Sequence, residues 1–168
     1  MQQNPILILG IDPGTRITGY GIIELASSGI KTIDFGCIRP PSNLDLPQRY
    51  KILFEGLEGL LTIHSLSAIA VESQFILKNP QSAIKLGMAK GMVLLAAARK
   101  GIPVYEYAPK KAKQAVVGKG QASKHQVQRM IQSLLRLPQL PEPEDAADAL
   151  ALAICCAHNL RSPLCTNR

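Results

Sequence analysis

The stretch LILGIDPGTRITGYGII, Leu7 to Ile23, constrains the fold more than any other part of the chain. Ile6–Ile11 is a continuous apolar run, the pattern of a central strand covered on both faces. It stops at a carboxylate, Asp12. Pro13-Gly14-Thr15 then turns the chain into a second apolar run, Ile17–Leu25. Ser27-Ser28-Gly29 reads as a hairpin turn into a third run, Ile30–Ile38. Three strands in a meander therefore open the chain. An acid at the end of a buried strand needs something to answer its charge, so Asp12 stands either beside a bound nucleotide phosphate or against a metal ion.

The rest of the chain alternates helix and strand. Arg39-Pro40-Pro41-Ser42-Asn43 is a loop, and Leu46–His64 carries an amphipathic stripe through Tyr50, Leu53, Leu57 and Leu61. Ser67–Val71 is a short buried strand ending at Glu72. Gln81–Lys100 is a helix stopped by Gly101, and Pro103–Tyr107 is another strand. Ser123–Leu137 and Glu144–Leu160 are helical, the latter with a strongly apolar body. The pattern, βββαβαβαα, predicts an α/β fold with a mixed five-stranded sheet flanked by helices. One domain over 1–160, with a frayed tail at 161–168, is the expected organisation.

Nineteen Lys and Arg against 12 Asp and Glu give a net charge of +7, which suits a polyanionic partner such as nucleic acid. The four cysteines, Cys37, Cys155, Cys156 and Cys165, have no metal-binding spacing. Cys155 and Cys156 fall in an apolar helix, where Cys behaves as a small hydrophobe. Neither a signal-peptide pattern nor an apolar run of membrane-spanning length is present, so a cytoplasmic protein with no membrane association is expected.

With so few acids, their placement is informative. Asp12 and Glu72 both end strands expected to lie side by side and parallel, which brings two carboxylates to one sheet edge. They would repel one another unless a cation neutralised them. Asp145 and Asp148, in PEPEDAADALALAI, stand at i and i+3 on one face of the last helix. Acids in a first turn also complement the helix dipole, and Glu142 and Glu144 read as doing only that. Asp148 sits a turn deeper, among alanines, where a dipole role is a poorer account. Four hard oxygen donors around one point suit Mg²⁺ or Mn²⁺ rather than zinc, and two such ions suit phosphodiester hydrolysis.

The segments GIDPGTRITGYGII, AVESQFILKNPQSAIKLGMAKG, VYEYAPKKAKQAVVGKGQASKHQVQRMI and DAADALALAI resemble, in order, the signature segments of the RuvC crossover junction endodeoxyribonucleases. These are the bacterial Holliday junction resolvases. The resemblance implies a ribonuclease H-like fold, a homodimer, and a branch-migration complex as partner. It implies paired symmetric nicks in four-way junction DNA with Mg²⁺, two ions per active site, for which Mn²⁺ can substitute. Matched position by position, the catalytic and metal-holding acids are Asp12, Glu72, Asp145 and Asp148. The aromatic that probes the junction is Phe75, and the functional lysines are Lys113 and Lys124. Ser73-Gln74 departs from the common pattern and touches sequence preference rather than chemistry.

Other residues carry weaker expectations. Phe75 on its own either stacks on a base or covers the core beside Ile76 and Leu77. Lys78, Lys85, Lys110, Lys111, Lys113, Lys119 and Lys124 either form a solvated face or flank loops near the acids and hold phosphates. Lys119, between Gly118 and Gly120, is expected on a flexible turn. Gly14 and Gly19 are expected to tighten the first hairpin and let DNA approach. Ala83, Gly87 and Gly91 make a small-residue stripe, expected at a dimer interface.

Two other functions compete. An actin-like ATPase or sugar kinase rests on GIDPGT alone; it needs two lobes and a second phosphate-binding turn, and the chain offers neither. A YqgF-type ribonuclease H-like nuclease acting on RNA is the nearer rival, disfavoured by the long matches around Glu72, Lys113 and Asp145.

Overall fold

The structure, a computed structural model, describes residues 5–73 and 79–161. Its elements run β1 (Ile6–Asp12), β2 (Thr18–Ala26), β3 (Gly29–Ile38), α1 (Leu46–Ile63), β4 (Ala68–Glu72), α2 (Pro80–Lys100), β5 (Val104–Tyr107), α3 (Pro109–Val117), α4 (Lys124–Leu135) and α5 (Glu144–Arg161). The strands form one sheet in the order β3-β2-β1-β4-β5. β1–β2 and β2–β3 pair antiparallel, whereas β1–β4 and β4–β5 pair parallel. The expected mixed five-stranded sheet is present, with β1 at its centre.

Period-two alternation sorts the strand residues between two helical layers. Leu9, Ile11, Ile22, Ile69 and Val71 pack against α1 and α2 through Leu53, Leu57, Val93 and Ala97. Ile8, Ile23, Ala68 and Ala70 face α3, α4 and α5. Both faces of β1 and β4 are thus covered, which explains their near-continuous apolar runs. Asp12 and Glu72 continue the face of Ile8 and Ala70, so both carboxylates emerge on the α5 side of the sheet.

α5 is buried along its body, Cys155 and Cys156 included. It lies so close to the sheet that a Cβ on Gly10 would strike the Ala149 carbonyl, and one on Gly19 the Asp145 carbonyl. Gly19 therefore admits a helix rather than DNA, which corrects the expectation for that residue. Gly14 does tighten the turn: a Cβ there would meet the Ile17 carbonyl. Buried Thr18 braces it, its hydroxyl accepting from the Gly14 N–H at 3.1 Å and donating to the Gly14 carbonyl at 2.8 Å.

One element departs from the sequence reading. Pro109–Val117 is a helix, α3, with Pro at its start and left-handed Gly118 (φ 75°) at its end. Lys110, Lys111 and Lys113 are therefore helical, not flanking a loop. Only Ala112 and Val116 of α3 are buried, too sparse an apolar pattern to announce a helix.

Candidate active site

The site grows from three backbone relations. In the parallel β1–β4 ladder Ile11 lies opposite Val71, so the next residues, Asp12 and Glu72, end adjacent strands. In the β1–β2 ladder Asp12 lies opposite Gly19, the residue over which the Asp145 backbone sits. One turn further along α5, Asp148 comes over the same edge. Three elements separated in sequence thus deliver four carboxylates to one place.

Their electrostatics reflect that crowding. The Asp12 carboxyl is pushed from 3.8 up to about 7, first by burial and then by Glu72, Asp148 and Asp145 in that order. Burial and the Asp148 charge also raise Glu72, while Lys113 pulls it down. Asp148 is raised by burial and by Asp145 and Glu144, against Lys124 and Lys113. Each of the four is half-buried, so the site opens to solvent on one side. Among the described residues no three His, Cys, Asp or Glu side chains are closed into a formed metal centre; the acids share an electrostatic neighbourhood, and their mutual repulsion opposes closer approach.

The expected lysines divide. Lys113, half-buried on α3, acts on Glu72 and Asp148. Lys124 acts on Asp12 and Asp148 and donates to Glu144 Oε2 at 2.9 Å. Lys119 lies, as expected, in the turn after α3, exposed. Lys85 is exposed on α2, a helix of the opposite layer, and is not among the charges that act on the acids. Phe75 and Lys78 lie outside the described residues.

Sequence reasoning missed two contributors. Glu144 reads as a dipole residue in sequence, yet it is the ion-pair partner of Lys124. Its i, i+4 relation to Asp148 was the available signal. Gln128, a buried polar residue of α4, donates to the Pro141 carbonyl at 3.2 Å. That bond anchors the segment entering α5 and hence the placement of Asp145.

Residues 8–156 match the family described as Crossover junction endodeoxyribonuclease RuvC. The chain is 56% identical over 153 residues to the crossover junction endodeoxyribonuclease RuvC of Protochlamydia amoebophila, covering 91% of each. It is 52% identical over 162 residues to that of Chlamydia pneumoniae, covering 95% of this chain and 96% of the relative. Among solved structures it resembles T. thermophilus RuvC in complex with Holliday junction substrate, with a TM-score of 0.87 at 32% identity, covering 93% of this chain and 95% of that one.

Proposed function

The chain belongs to the RuvC family of crossover junction endodeoxyribonucleases, and from that premise we propose that Asp12, Glu72, Asp145 and Asp148 form its active site. It is a Holliday junction-resolving endodeoxyribonuclease of ribonuclease H-like fold. The observation that carries the site assignment is the electrostatic state of Asp12. A carboxyl at the end of a buried strand is pushed to about 7 by burial and by three other acids, a concentration of negative charge with no fold-stabilising purpose.

The donor set fits divalent magnesium: all four groups are hard carboxylate oxygens, and the site is short of positive charge. When bound, two Mg²⁺ ions at these four residues would supply a lowered water pKa and neutralisation of developing charge on phosphate oxygens. The protein's own groups do the rest. Lys113 and Lys124, on the α3 and α4 sides of the acids, hold the scissile phosphate through charge. Water adds to phosphorus as the P–O3′ bond breaks, leaving a 5′-phosphate and a 3′-hydroxyl that a ligase can rejoin. The acids are half-buried, so each keeps part of its surface toward solvent.

Paired nicks need two such sites related by symmetry, and α2 supplies a suitable surface. Ile84, Met88 and Leu95 are 58%, 48% and 49% exposed. They share one face with Gly91, whose Cα has open space beside it. An apolar helix face with a bare glycine midway fits a second copy of itself across a two-fold axis. The stripe of Ala83, Gly87 and Gly91 belongs to this surface.

Asp148→Asn tests the site. Junction cleavage in Mg²⁺ should fall by at least about 10³-fold, with junction affinity within about threefold of the parent because lysines supply it. A variant that cleaves at the parental rate would remove Asp148 from the catalytic centre.

A further inference from the structure

The Lys124–Glu144 pair joins the N-termini of two helices. Lys124 is the first residue of α4, a position where the helix field opposes a cation. Its backbone is fixed by a capping box: the Ser123 hydroxyl accepts from the Gln126 N–H at 3.2 Å, and the Gln126 side chain accepts from the Ser123 N–H at 2.9 Å. Glu144 is in the first turn of α5, where the field favours an anion, immediately before Asp145. The two side chains meet at 2.9 Å with both well exposed, 59% and 57%. An ion pair this wet contributes little to stability, so it is not kept for the fold.

It does fix where a cation stands. A lysine side chain on a helix end sweeps a wide volume, and the carboxylate of Glu144 restricts it to the mouth of the acid cluster. From there Lys124 is the leading positive influence on Asp148 and the only one on Asp12 among the described residues. Glu144 also competes with an incoming phosphate for the Lys124 charge and for the direction in which its three N–H donors point.

We propose that Glu144 is a positioning residue that holds Lys124 over the active site in the free enzyme and yields it to the junction phosphate on binding. The proposal rests on the active-site reading above. Holding the ammonium in place before DNA arrives speeds cleavage, because the cation need not be reoriented at the reacting phosphate. Competing for the same ammonium weakens ground-state binding. Glu144 thus moves rate and affinity in opposite directions, as a residue that only supported the fold would not.

The test is a double-mutant cycle on a synthetic four-way junction, with Glu144→Gln, Lys124→Ala, the double variant, and Asp148→Asn as control. Single-turnover cleavage is followed in Mg²⁺ and junction affinity in Ca²⁺. Glu144→Gln should slow cleavage roughly two- to fivefold, the span of an exposed ion pair, while tightening junction binding. In the Lys124→Ala background the same change should alter neither quantity. Equal losses of rate and affinity in Glu144→Gln, or an undiminished effect with Lys124 gone, would show that Glu144 acts through the helix or the fold and overturn the proposal. Parental cleavage by Asp148→Asn would instead overturn the active-site reading beneath it, a result distinguishable from failure of the Glu144 cycle.

Discussion

Ionised Asp12 is a cost to the folded chain that a chelated sample should expose. Its carboxyl titrates near 3.8 when free and at about 7 in place. Between those values the folded protein keeps a proton that the unfolded chain has lost, so stability falls as pH rises from about 4 to about 7 and stays low above that. At pH 8 in EDTA, Asp12→Asn should therefore raise stability by roughly 1–3 kcal/mol, a few degrees in Tm. The gain should shrink toward zero near pH 4. Mg²⁺ should raise the parental Tm and leave the variant nearly unmoved. Scanning calorimetry at the two pH values decides it, and a variant no more stable at pH 8 would mean that Asp12 is relieved by some other group. That four acids gather at one sheet edge was legible in sequence, because strand ends and first helical turns are the places where a carboxylate's position follows from local pattern. The partner of Lys124 was not, since Glu144 is 20 residues away and meets it only through the packing of α4 beside α5.

Helix α5 positions half of the site, and its closeness to the sheet is what sets that position. Gly10 and Gly19 leave room for the Ala149 and Asp145 backbone, and no side chain fits in the gap. Gly19→Ala must lift or tilt α5 near Asp145. The expected result is a loss of about 1–3 kcal/mol in urea unfolding, together with a fall in cleavage of about 100-fold from misplaced acids. Parental cleavage in a folded Gly19→Ala protein would mean that Asp145 need not be held by this contact. The helix itself was plain from its apolar body, whereas its height above the sheet was not, because a glycine in a strand reads as a weak spot until its neighbour is known. α3 escaped the sequence reading for a different reason. Its three lysines and short length hide the pair Ala112 and Val116, and packing against α5 rather than propensity makes it helical.

At the scale of the molecule, a basic chain of net charge +7 keeps four of its 12 acids together at one sheet edge. In the proposed function, the surplus positive charge would bind the substrate around a negative centre that a divalent cation would complete. The opening meander, the parallel pairing of β1 with β4 and a mixed sheet flanked by helices were foreseen from the βββαβαβαα pattern; the place of β5 at the sheet edge was not, nor which face of α2 stays uncovered, since a helix of mixed apolar and small residues gives no sign of which side a partner will take. If α2 forms the proposed interface, the parent should sediment as a dimer, and Met88→Glu with Leu95→Glu should leave a folded chain that sediments as a monomer at the same concentration and makes unpaired nicks. A double variant that still sedimented as a dimer would place the interface elsewhere.

The most direct measurement takes the unmodified protein, a synthetic four-way DNA junction, a linear duplex of the same sequence and an RNA hairpin, each with Mg²⁺ and with EDTA. Paired nicks at symmetric positions in the junction, only with Mg²⁺ and with the duplex and hairpin intact, are the predicted result. Cleavage of the RNA hairpin in preference to the junction, or junction cleavage undiminished in EDTA, would contradict a metal-dependent junction resolvase built on Asp12, Glu72, Asp145 and Asp148.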